Sequence, residues 1–169
     1  SSSSIECRNG ANTYGSLHAN TFGSGGGSRG QIHTGTVLKH GNENFRAGSG
    51  GGIINIIAYN YLLLNGTIVS NGAGGNLAGG GGGAGGSISI STFMMKGSGI
   101  VSARGGDGGR AGGEVVGGSG GGGRIYVNIL VMGGGGAYQF SDWIGYFDTR
   151  GGLRLKTPFI GDSYAGAGT

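Results

Sequence analysis

Apolar and polar residues alternate with the period of a half-buried strand in Ser87-Ile88-Ser89-Ile90-Ser91-Thr92 and in Arg124-Ile125-Tyr126-Val127-Asn128-Ile129. Ile53-Ile54-Asn55-Ile56-Ile57-Ala58 is apolar on both faces, the pattern expected of a strand covered on both sides. A fourth strand is expected over residues 31–37, Gln-Ile-His-Thr-Gly-Thr-Val. Two of these segments lead through a turn into a second strand-like piece, Thr67-Ile68-Val69-Ser70 and Gly99-Ile100-Val101-Ser102. The shared letters align Ile68 with Ile100, and Ile54 with Ile88 and Ile125. The spacings are then 32 for the second piece, and 34 and 37 for the first. Periods of this size belong to stacked arrays, in which each unit buries its apolar face on its neighbours.

Long glycine-rich stretches, 72–86 and 105–123, join the units, so the repeat is strand, turn, strand, glycine-rich return. Glycine makes up 48 of the 169 residues, roughly four times the average usage of ~7%. Gly/Ser-rich sequence is ordinarily a flexible linker. These runs instead recur between strands at a near-constant period and carry almost no charge. An extended threefold glycine helix, akin to polyproline II, is the ordered alternative. Lacking Cβ atoms, such segments can pack backbone against backbone. The entropic cost of ordering so much glycine favours a large or polymeric assembly.

The predicted fold class is all-β: a glycine-rich β-solenoid, parallel β-helix-like, with extended glycine-helix segments. A β-sandwich with glycine-rich loops is the alternative. Residues 1–30 form an entry segment and 31–132 the repeat region. Residues 133–169 hold Tyr138, Phe140, Trp143, Tyr146, Phe147, Phe159 and Tyr164, half of the aromatics, and suit either a cap or an interface.

Composition excludes several classes. Glycine lacks the strict three-residue period of collagen, and proline occurs once. A helical protein conflicts with the glycine content. The net charge of +4 comes from scattered Lys and Arg, which is not a nucleic-acid footprint. The longest apolar stretch, 53–64, is interrupted by Asn55 and Asn60 and is too short for a membrane-spanning helix. Cys7 is the sole cysteine, so no disulfide can form within the chain. The absence of an initial Met suggests a processed product or a fragment.

The motifs Tyr14-Gly15-Ser16, Phe22–Gly27, Gly51-Gly52-Ile53-Ile54-Asn55-Ile56, Asn65-Gly66-Thr67-Ile68, Gly79–Gly86 into Ser87-Ile88-Ser89-Ile90, Gly97–Ala103, and Gly120–Gly123 into Arg124-Ile125-Tyr126-Val127 follow one another in order. In that order the chain resembles the glycine-rich β-repeat region of large secreted and cell-surface proteins of protists and bacteria. The resemblance covers roughly residues 14–129. It implies an extracellular, structural or adhesive role, and it brings no catalytic residues. After its Tyr-Gly-Ser motif the family often has Pro, where this chain has His18-Ala19-Asn20.

Chemical motifs are sparse. Two Gly-x-Ser-x-Gly matches, at 26–30 and 117–121, lack the expected strand-to-helix turn. Asp107 lies in Gly-Gly-Asp-Gly-Gly, where calcium would need six to eight oxygens, so a turn role is expected. His18, His33 and His40 lack zinc spacing with Cys7. Neither a cofactor nor a catalytic set is expected. Asp142 and Asp148 flank aromatics, and Tyr138, Asp142, Trp143 and Tyr146 form a candidate glycan contact. Asn65-Gly66-Thr67 is a candidate N-glycosylation sequon at an expected turn. The expected function is a self-associating structural subunit of an extracellular filament or surface assembly. The alternative is a glycan-binding adhesin or polysaccharide-active β-helix domain. An ice-binding array ranks last, because equivalent strand positions hold Ile, Ser, Tyr and Asn instead of regular Thr.

Overall fold

The computed structural model describes residues 21–27, 32–33, 36–37, 46–76, 79–111, 115–130, 142–154, 163–164 and 166–169. Among them every regular element is a strand, so no helix is long and apolar enough to cross a membrane. The strands are β1 (Ile32–His33), β2 (Thr36–Val37), β3 (Ile53–Leu63), β4 (Thr67–Val69), β5 (Ser87–Lys96), β6 (Ile100–Ser102), β7 (Arg110–Ala111), β8 (Val115–Val116), β9 (Arg124–Ile129), β10 (Tyr146–Asp148), β11 (Leu153–Arg154) and β12 (Ser163–Tyr164).

Two parallel three-stranded sheets carry the architecture, in the orders β3-β5-β9 and β4-β6-β10. The register of the first sheet places Ile54 beside Ile88 beside Ile125, the correspondence read from the repeat. Ile56, Ile90 and Val127 form the next row on the same face. These rows meet Val101 and Ala103, and Ile68 from the neighbouring strand packs alongside. Ile88, Ile90, Met95, Val101 and Ala103 have no solvent exposure. Two facing sheets are what the sandwich alternative describes, but the glycine-rich connections are ordered, hydrogen-bonded segments.

Three strand expectations change. Residues 31–37 do not form one strand: β1 pairs antiparallel with β2, Ile32 with Val37 and His33 with Thr36. Ile68 pairs with Val101 and not with Ile100, one step from the letter alignment. Because side chains alternate faces, only this register sets Ile68 beside the buried Val101, while Val69 faces solvent. β3 is not covered on both sides. It lies at a sheet edge, and on its outer face Ile57, Tyr59, Tyr61 and Leu63 are exposed.

The glycine runs pack side by side below the sheets. Segment 79–86 lies at their centre. Its successive N–H groups rotate among three neighbours: Gly81 to Gly27, Gly82 to Gly118, Gly83 to Ala73, then Ala84 to Ser24, Gly85 to Gly121 and Gly86 to Ser70. Each partner segment thus recurs at every third residue. Its carbonyls serve two further neighbours, with Gly48 and Gly51 donating from one side and Gly106 and Gly109 from the other. Glycine is required here for proximity and not for unusual torsions: among the described residues only Gly79 and Gly97 have positive φ, and both stand at turns. A Cβ on Gly82 would overlap the carbonyl of Gly106, and one on Gly83 the carbonyl of Ser49. Where a segment is peripheral, side chains return at every third position. Arg104 and Asp107 are separated by Gly105-Gly106, whose added Cβ atoms would strike backbone. Asp107 therefore sits in an extended segment and not in the expected turn, accepting from Arg104 Nη2 at 2.8 Å and from Leu153 N at 2.7 Å.

Candidate functional site

Among the described members of the sequence-derived glycan set, Asp142 and Trp143 are engaged within the fold and Tyr146 is exposed. Tyr138 lies outside the described residues. Asp142 is engaged by Lys96, with 3.0 Å between Nζ and Oδ2, and its carbonyl accepts from Gly97 N. Trp143 is half-buried and packs on the core. Its ring lies so close to Gly145 that a Cβ there would collide with it, and it tilts against Phe147 with centroids 5.8 Å apart. Among the described residues the buried Trp143 Nε1–H has no partner. Tyr146, at 54% exposure, presents an open ring on β10. Asn65, Gly66 and Thr67 are all exposed, which leaves the sequon accessible, while Asn65 Oδ1 accepts from Ser98 N of the neighbouring turn.

Asp148 follows Tyr146 and Phe147 on β10 and is buried at 8% exposure. Arg150 closes on it through Nε and Nη2 at 2.9 and 2.8 Å, and its backbone N–H adds a third bond. The side-chain bonds from Arg150 hold the carboxyl below the usual carboxylate range, against burial, which pushes it up; the Arg150 N–H and the charges of Arg150 and Arg104 add to the lowering. Asp142 and Asp148 thus each neutralise a separate cation, which is a structural use of both groups.

The feature with functional geometry is the stacking operation itself. Each level of one unit bonds in parallel to the same level of the next. Ser70 N donates to Ser102 O, Gly72 N to Arg104 O, and Gly105 N to Arg150 O. At the turns, Gly99 N donates to Leu64 O and Tyr146 N to Gly99 O. Where a glycine segment enters its long strand, three bonds are equivalent: Ser87 N to Gly52 O, Arg124 N to Gly86 O, and Thr169 N to Gly123 O. Thr169 therefore occupies the position of Ile53, Ser87 and Arg124, the first residue of a long strand. Upstream of Thr169, Gly122 N donates to Gly166 O as Gly85 N does to Gly121 O.

Among the described residues no strand pairs with the outer side of β3 and β4 or with that of β9 and β10, although Ile125 N donates to Thr169 O. β3 and β4 form one edge, β9 and β10 the other. Unpaired strand edges present N–H and C=O groups that template further strands. Ile57, Tyr59, Tyr61 and Leu63 form an exposed stripe on β3, and Val69 on β4 is 50% exposed. Sequence reasoning missed this stripe as a surface. Its signal was the two-faced apolar pattern of β3, which was read as burial. Comparison of the chain with protein-family models, with characterised proteins and with solved structures finds no match.

Proposed function

We propose that the chain is a structural module of an extracellular filament or surface assembly. In this reading it is a stretch of β-solenoid whose glycine segments are polyproline-II-like helices, and it self-associates through its open edges. The observation that carries the proposal is the repeated entry bond of Ser87, Arg124 and Thr169, one parallel step that recurs three times along the described residues. The stripe on β3 supports it, since a contiguous apolar surface of this kind marks an interaction site. The mixed, sparse charge adds little repulsion between copies. The resemblance to secreted glycine-rich repeat regions supports the extracellular setting. The glycan-binding alternative keeps Tyr146 as a surface ring, but Asp142 and Trp143 are engaged in the fold. Electron microscopy of purified protein over a concentration series tests the proposal. Filaments or sheets are expected; dispersed monomers at high concentration contradict it.

A further inference from the structure

The segment 21–27 forms a third layer over the glycine bundle, antiparallel to 46–52 and 79–86. It fits a specific pattern of backbone groups. The N–H groups of Gly81 and Ala84 donate to Gly27 O and Ser24 O, while Gly48 O and Gly51 O accept from Gly26 N and Gly23 N. Ser87 Oγ closes the end, donating to Thr21 O at 2.6 Å.

One step along the stack the same pattern recurs without its third layer. Register maps Gly81 and Ala84 onto Gly118 and Gly121, and it maps Gly48 and Gly51 onto Gly82 and Gly85. Laterally these residues bond as their counterparts do: Gly118 O and Gly121 O accept from Gly82 N and Gly85 N, as Gly81 O and Ala84 O accept from Gly48 N and Gly51 N. Upward they do not. Among the described residues nothing accepts from Gly118 N or Gly121 N, and no backbone N–H donates to Gly82 O or Gly85 O. Gly82 and Gly85 are buried: Gly26 and Gly23 of segment 21–27 stand beside their carbonyl oxygens, yet no described N–H is directed at either. A cavity of about 270 Å³ opens at the strand end of this seam, lined by Phe22, Gly85, Gly122, Arg124, Ala167 and Thr169 among others.

The side-chain pattern points the same way. A Cβ on Gly118 would meet no described atom, and one on Gly121 would touch only Gly166 O, at 3.9 Å. Neither residue has positive φ. Among the described residues, glycine at these two positions serves neither torsion nor packing. It does serve close approach by another backbone, as Gly81 serves segment 21–27.

We propose that the groove between 79–86 and 117–123 is a docking site for an extended glycine-rich peptide segment of another chain, running antiparallel to both walls. The segment takes the N–H groups of Gly118 and Gly121 and donates to the carbonyls of Gly82 and Gly85, two bonds to each wall at a spacing of three residues. Small residues are required over the positions that match 23–27, where side chains would meet the glycine walls. The inference concerns layering on the face of the stack, whereas the assembly reading concerns its edges.

The probe is the acetylated, amidated peptide of residues 21–27, titrated to millimolar concentration into the isotopically labelled full chain. Expected are saturable amide shifts at Gly118, Gly121 and the cavity-lining 122–124, with exchange of the Gly118 and Gly121 amides slowed at least tenfold. Gly118→Val, which the open space tolerates, keeps the native spectrum elsewhere and abolishes these shifts. Unchanged Gly118 and Gly121 signals at saturating peptide, or equal binding by a folded Gly118→Val chain, overturns the inference. Because the readout is a titration of single chains, it fails or succeeds independently of whether filaments form.

Discussion

Replacing Gly83 with Ala tests whether backbone proximity holds the bundle together. The new Cβ would lie 2.9 Å from Gly48 O and closer still to the carbonyl group of Ser49. These are main-chain atoms, so no flexible side chain can yield. Relief requires 46–52 to move away from 79–86, across a seam bonded by Gly48 N to Gly81 O at 2.8 Å and Gly51 N to Ala84 O at 2.9 Å. Overpacking of this kind costs about 1–3 kcal/mol, and each bond lengthened or lost adds about 1 kcal/mol. Against this, Gly→Ala lowers the entropy of the unfolded chain, which is worth about 0.4–1 kcal/mol. The net expectation is a loss of about 2–4 kcal/mol. Gly52→Ala is the control. Its Cβ would meet nothing, its φ is not positive, and the same entropic effect should stabilise by about 0.4–1 kcal/mol. Urea unfolding of both variants reads the difference as a midpoint shift at constant slope. If Gly83→Ala and Gly52→Ala change stability equally, the runs are not closely packed and the reasoning fails.

Ile88→Ala, at the centre of the buried row, should cost about 2–5 kcal/mol by the same assay, whereas Ile57→Ala on the exposed face should stay within about 1 kcal/mol. Asn71→Ala removes the acceptor of Arg104 N and Ser102 Oγ, both at 2.7 Å, and should cost about 1–2 kcal/mol. Trp143→Phe removes the Nε1–H, which has no partner among the described residues, and with it the Cζ2 and Cη2 atoms that lie on Gly145, so the two effects oppose and its cost should stay well below that of Trp143→Ala, which opens the packing on the core. Asp148 has its folded pKa depressed, so its contribution is complete above the ordinary carboxylate pKa of about 3.9 and is withdrawn as pH falls through the lower folded value. Asp148→Asn should flatten that acid limb of the stability profile and leave the neutral-to-basic limb unchanged.

The strand rows were legible because period-two alternation and a fixed spacing leave one solution: Ile54, Ile88 and Ile125 had to share a face. The second sheet was legible as strands but not in register. Thr67-Ile68-Val69 and Ile100-Val101-Ser102 are too short and too similar for letters to choose between neighbouring alignments, and burial of Val101 chooses. The glycine runs offered no side-chain pattern, since the neighbours that bond to 79–86 do so through backbone. Only at the periphery, in Arg104-Gly105-Gly106-Asp107, does a three-residue period surface in the sequence. Local chemistry was misread where tertiary contacts decide it. Asp107 looks like a turn residue until Leu153 N arrives from 46 positions away. Trp143 looks like a ligand platform until its place against the core is seen.

The central claim is that glycine-rich sequence forms ordered, hydrogen-bonded architecture here, and amide hydrogen exchange of the native protein at Gly81–Gly86 tests it most directly. All six N–H groups in that run donate to other segments. The account predicts exchange there as slow as at Ile88 and Ile90 in the sheet core, since opening the run requires separating its neighbours. Exchange across Gly81–Gly86 at the rate of an unstructured linker, while Ile88 and Ile90 remain protected, would contradict it.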